Sequence, residues 1–189
     1  IVILVDITQY FSQKDGIFSD FWQEYGLDSI TGNWDYIEPC LFGYASAKVI
    51  ENFYEFYAEA KDKIVAQFHE WMTGSGILYL KKYCPQIATA FTTHASVLGR
   101  CLAGNNMALY SSLQYFEGEN VANQFNMRAK YSMEKLSALN ADVFTTVSEI
   151  TNAECKQFFK KSADVITPNG FENDFVPKAE RSEEHTSEL

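Results

Sequence analysis

Five short runs rich in β-branched and aromatic residues alternate with longer stretches of helical period, and this alternation confines the chain to an α/β fold built on a parallel sheet. The runs are IVILVDI at 1–7, KIVAQF at 63–68, IATAFTT at 87–93, DVFTTV at 142–147 and DVITP at 164–168. Each is apolar and closes on polar residues, as a strand does where it leaves a core. Between them, helical period is expected over 45–60, 121–140 and 148–161, the last with Ser148 as N-cap. Residues 9–44 are crowded with aromatics (Tyr10, Phe11, Phe18, Phe21, Trp22, Tyr25, Trp34, Tyr36) set among Gly and Asp without a clean period. They read as loops and short helices over the sheet edge, with their rings packed together rather than stacked on a ligand.

In an open parallel sheet, ligands bind beyond the carboxyl ends of the strands, so the polar residues that follow each run are the candidates. They are His69, Glu70 and Trp71 after the second run, Thr92, Thr93 and His94 after the third, Thr146 and Ser148 after the fourth, and Asn169 and Gly170 after the fifth. His69 and His94 occupy equivalent places after neighbouring runs, where an imidazole can hydrogen-bond a sugar hydroxyl. If TTHA opens a helix, Arg100 lies one to two turns in and reaches an anion at the strand ends. Pro168-Asn169-Gly170 alone reads as a tight turn with positive φ. Asp35 and Glu38, beside Pro39, are candidate hydroxyl acceptors. The sequence holds no P-loop, no GxGxxG and no Ser-His-Asp order, and no close carboxylate pair of the glycosidase kind is recognisable in it.

Composition narrows the partners. With 189 residues, 47% hydrophobic and 15% aromatic, the chain can bury one core and is expected to form one globular domain or most of one. A net charge of -10, from 15 basic and 25 acidic residues, opposes a nucleic-acid surface. Cys40, Cys84, Cys101 and Cys155 are widely spaced, without a metal-binding pattern, and read as free thiols of a reducing compartment. No zinc site is expected from these spacings. The sequence has no membrane-spanning run, and its opening is too short and lacks the basic flank of a signal peptide, so a cytoplasmic location is expected. The last nine residues, RSEEHTSEL at 181–189, break with all before them and read as a non-native read-through tail.

Four ordered blocks, FHEWMTG (68–74), FTTHASVLGRCLAG (91–104), VFTTVSEIT (143–151) and ITPNGF (166–171), resemble the glycogen synthases of the animal, fungal and related bacterial type. The resemblance spans residues 64–171 strongly and the region before 60 more loosely. Met72 and Thr73 stand where the family has Leu-Ala, and Cys101 where it often has Tyr. It implies a GT-B glycosyltransferase of two Rossmann-like lobes, with residues 1–180 forming part of the amino-terminal, acceptor-side lobe.

The implied reaction transfers glucose, with retention and without a metal, from UDP-glucose or ADP-glucose to the non-reducing end of an α-1,4-glucan. By the same resemblance His69 contacts the transferred glucose and Asn169 the glucosyl group, both as catalytic residues, and His94 with Arg100 binds the donor sugar and its phosphates. Glu70 and Thr93, from their places after the strands, and Glu38, from its place beside Pro39, are the further substrate-binding candidates. The family's Gly-rich loop and its second lobe, with the donor-phosphate cations and the catalytic Glu, fall outside these residues. The 189-residue chain by itself is therefore expected not to turn over, and the full-length protein is expected to be a homo-oligomer. The competing readings are another GT-B transferase, or a non-catalytic glucan-binding module derived from such a lobe.

Overall fold

The computed structural model describes residues 2–59 and 61–170; the tail expected at 181–189 lies outside them. A 3-10 turn (Thr8–Gln13) leads into α1 (Lys14–Tyr25) and α2 (Trp34–Tyr57). The chain then runs β1 (Val65–His69), α3 (Glu70–Thr73), α4 (Ser75–Tyr83) and β2 (Ala88–Thr93). It continues through α5 (Val97–Gly104), α6 (Leu109–Ser112), α7 (Gly118–Gln124), α8 (Arg128–Asn140), β3 (Val143–Thr146), α9 (Glu149–Phe159) and β4 (Val165–Ile166).

The strands pair in the order β1-β2-β3-β4, all parallel. The class is thus the expected α/β, with a Rossmann-like sheet. Every crossover advances in the same sense, and right-handed crossovers of one sense place their helices on one face. Burial follows. Ala66, Phe68, Thr89, Phe91, Thr93, Phe144 and Thr146 point into the helices and are buried, whereas Val65, Gln67, His69 and Val143 on the other face are exposed.

Four of the five expected strands are present within a few residues of their expected bounds. The run at 1–7 is not a strand over the described residues 2–7, and Val2 and Leu4 are 88% and 92% exposed. Composition proposes a strand, but only a ladder partner makes one, and none of the described residues pairs with this run. Over 9–44, where loops and short helices are expected, the chain is mostly helical, and its helices are longer than expected. Ile17, Phe18, Phe21 and Tyr25 fall at helical spacing and drive α1, which ends on Gly26 in the left-handed region at φ 72.

α2 starts eleven residues before the expected 45 and carries Pro39 in its second turn. The helix expected over 121–140 is two, α7 and α8, parted where Asn126 takes φ 56. Ser148 caps α9 as expected, accepting the Thr151 N–H.

The aromatics of 9–44 pack largely as expected. Tyr36, fully buried, is stacked between Phe18 (5.6 Å) and Trp71 (5.9 Å), tying α1 and α2 to α3 beside the sheet edge. α2 and α4 cross at Gly43 and Gly76, where a Cβ on Gly76 would lie 2.3 Å from Phe68 Cε1 and 2.9 Å from the Gly43 carbonyl oxygen. Gly76→Ala is therefore expected to cost about 1–3 kcal/mol in urea unfolding. Gly104→Ala, with nothing within 4 Å of the new methyl, should change stability by less than about 0.5 kcal/mol.

Candidate active site at the carboxyl edge of the sheet

Parallel register decides which residues meet. His69, the last residue of β1, lies opposite Thr92, and Thr92 lies opposite Thr145. One step past β2 the chain turns, so His94 arrives beside His69. His69 Nδ1 and His94 Nε2 are 3.1 Å apart, with the rings tilted by 33°. Such a bond needs one N–H and one bare nitrogen, so it exists only while at least one ring is neutral. Beneath the pair a polar row crosses the sheet face opposite the helices: Gln67 donates to the buried Thr92 Oγ1 (3.3 Å), and the Thr92 and Thr145 hydroxyls bond at 2.8 Å.

Glu70 opens α3 with φ 63, a left-handed conformation that a residue with a Cβ adopts at a cost of order 1–3 kcal/mol. The turn aims its carboxylate across the edge. It accepts the His94 N–H at 3.0 Å and lies 3.5 Å from the Arg100 guanidinium. Arg100 does not sit in a helix begun by TTHA: α5 starts at Val97 after Ser96, whose hydroxyl caps it by accepting the Gly99 N–H. Arg100 is thus in the first turn of α5, with its side chain 63% exposed at the sheet edge.

The remaining candidates divide. Thr93 reaches the edge, but its hydroxyl is buried and donates to Glu134 at 2.7 Å. Asn169 and Gly170 follow the carboxyl end of β4, which the Thr167 N–H to Thr146 carbonyl bond extends. Both are exposed, and neither has the positive φ expected of a tight turn. Glu38 lies exposed on α2, with no hydrogen bond or ion pair to the histidines among the described residues. Also among the described residues, no group of three or more His, Cys, Asp or Glu is arranged to hold a metal ion, and no helix is long and apolar enough to cross a membrane.

Sequence reasoning missed two buried carboxyls beneath the edge, Glu134 on α8 and Glu154 on α9, which are 0% and 5% exposed. A signal existed. Glu134 shares a helical stripe with the buried Tyr131 and Ala138, and Glu154 shares one with Thr151 and Phe158, so each acid stands where an apolar residue is the rule.

Burial pushes the Glu134 carboxyl up to about 8; the Val97 and Thr93 bonds pull it back, and the charges of Glu70 and Glu154 add to the rise. Burial, with Glu134 and Glu154 nearby, also raises the Cys155 thiol. A carboxyl raised on folding binds its proton more tightly in the native state. Its stabilising contribution is full below its ordinary value of 4.5 and is lost as pH rises through about 8. In urea melts from pH 5 to 9, the chain is expected to lose stability toward the alkaline end, and Glu134→Gln is expected to flatten that loss.

The glycogen synthase family model matches residues 1–180. The chain is 41% identical to the glycogen [starch] synthase of Dictyostelium discoideum over 137 residues, which is 72% of this chain and 15% of that protein. It is 36% identical to the liver glycogen [starch] synthase of Mus musculus over 169 residues, 89% of this chain and 24% of the relative. Against the glycogen [starch] synthase of Neurospora crassa it is 33% identical over 170 residues, with the same two shares. The chain therefore spans about a quarter or less of the length of these relatives. With a parallel sheet whose carboxyl edge gathers His69, His94, Glu70 and Arg100, and a match over 1–180, the chain belongs to the glycogen synthase family.

Proposed function

We propose that the full-length polypeptide carrying this chain transfers glucose from a nucleotide-glucose, UDP-glucose or ADP-glucose, to the non-reducing end of an α-1,4-glucan with retention, and that this chain supplies the acceptor-side half of the cleft. The observation that carries the reading is the His69–His94 pair, bonded at 3.1 Å at the carboxyl edge, in a chain of this family.

The chemistry asks for two things. The transferred sugar, positively charged as its bond to the diphosphate loosens, needs orienting hydrogen bonds; the departing diphosphate needs donors and cations. His69 suits the first task. Its Nδ1 is engaged with His94, which leaves Nε2 to address a sugar hydroxyl. Asn169, beyond β4 on the same edge, offers an amide to the glucosyl group. Arg100, mostly exposed and only 3.5 Å from Glu70, is the cation this edge offers to a phosphate. Glu70 and Thr93 support the reading from beneath, the first through the His94 N–H and the second through Glu134. Glu38 is kept as an acceptor-side hydroxyl partner.

Glucan synthesis from radiolabelled UDP-glucose, with ADP-glucose in parallel, tests this in the full-length polypeptide. His69→Ala is expected to lower kcat about 100-fold or more. A full-length polypeptide that is inactive with both donors yet binds glycogen would replace the transferase reading with a glucan-binding one.

A further inference from the structure

We propose that Glu134 and Glu154 are positioning residues that grip the segment Thr93–Arg100 from beneath and so set His94 against His69 and Arg100 against Glu70. The proposal rests on the transferase reading only for its effect on turnover.

Three carboxyls from three elements converge on this short segment. Glu70, from the start of α3, takes the His94 N–H. Glu134, from α8, takes the Thr93 hydroxyl at 2.7 Å and the Val97 N–H at 2.8 Å. Glu154, from α9, takes the Ser96 hydroxyl at 2.6 Å, and Ser96 in turn caps α5 through Gly99. No residue from 93 to 97 except Ala95 lacks such a tie.

Neither Glu134 nor Glu154 pairs with a cation among the described residues. A buried carboxyl held only by neutral donors is a poor stabiliser, since its desolvation consumes most of what its bonds return. Geometry is what it provides. Each acid spans from a helix behind the sheet to a loop at its edge, a distance an apolar side chain can fill but cannot fix. The neighbourhood is shaped to admit them: a Cβ on Gly99 would lie 2.1 Å from Glu154 Oε2 and 2.7 Å from its Cδ. Glycine at this place lets the α9 carboxyl reach the first turn of α5.

The donor pattern also specifies which variant can substitute. Val97 N–H can only donate, whereas the Thr93 hydroxyl donates or accepts. A glutamine at 134 accepts from Val97 through its carbonyl and donates to Thr93 through its amide, so it reproduces both ties without a charge.

The test uses the full-length polypeptide, comparing wild type with Glu134→Ala, Glu134→Gln, Glu154→Ala and Glu154→Gln by steady-state kinetics with UDP-glucose and by hydrogen-exchange mass spectrometry. The alanine variants are expected to lower kcat about 10-fold or more and to speed exchange selectively in the peptide covering 93–100. The glutamine variants are expected to recover most of both losses. If an alanine variant does not fold, the aspartate variant at that position, one methylene shorter, replaces it with the same expected pattern. Unchanged exchange at 93–100, or faster exchange spread evenly over the sheet with kcat per folded molecule intact, overturns the proposal. A wild type without transferase activity defeats the functional reading alone, and the exchange comparison then decides the positioning role.

Discussion

The parallel ladder is the constraint on which everything else in this chain depends. Because β1, β2, β3 and β4 run the same way with His69, Thr92 and Thr145 in line, the residues that leave each strand leave it at one edge. Two imidazoles separated by 25 residues in sequence then meet at 3.1 Å. A slip of one residue in the β1–β2 register would turn His69 toward the helices and carry the buried Phe68 to the exposed face, so the apolar packing of the sheet also holds the pair in place.

The edge is built on an unusual electrostatic arrangement for so acidic a chain. Among the described residues, the carboxyls nearest the histidines are not neutralised by a matching set of cations. Arg100 pairs with Glu70, while Glu134 and Glu154 are held by amide and hydroxyl hydrogens. Fixed dipoles of this kind orient without adding charge, and they leave the Arg100 guanidinium available at the surface. The strained φ of Glu70 belongs to the same arrangement, since an ordinary backbone at that residue would aim the carboxylate elsewhere.

What was legible in the sequence followed period and punctuation. The four strands and the Ser148 cap could be read because each is a local pattern of a few residues. The grouping of His69, His94 and Arg100 could be read because strand ends in a parallel sheet converge. The failures are of two kinds. A β-branched run at 1–7 carried strand composition without a ladder partner among the described residues, and the lengths of the 14–25 helix and of the 34–44 part of the next were masked by Gly, Asp and Pro that the aromatic layer of Phe18, Tyr36 and Trp71 overrides. Glu134 and Glu154 stand on the apolar stripes of their helices, which marks them as unusual, but only the packing of α8 and α9 behind the sheet shows which donors their carboxyls meet.

By itself the sequence determined the α/β class, the succession of strands, the family and the residues that stand at the strand ends, since each depends on side-chain type and short-range spacing. Only the tertiary structure decided that all crossovers fall on one face, that His69 and His94 are bonded to each other, and that two buried carboxyls grip the loop between β2 and α5. Those facts depend on which surfaces face one another once distant segments pack, and burial and hydrogen-bond partnership are properties of that packing rather than of any stretch of chain.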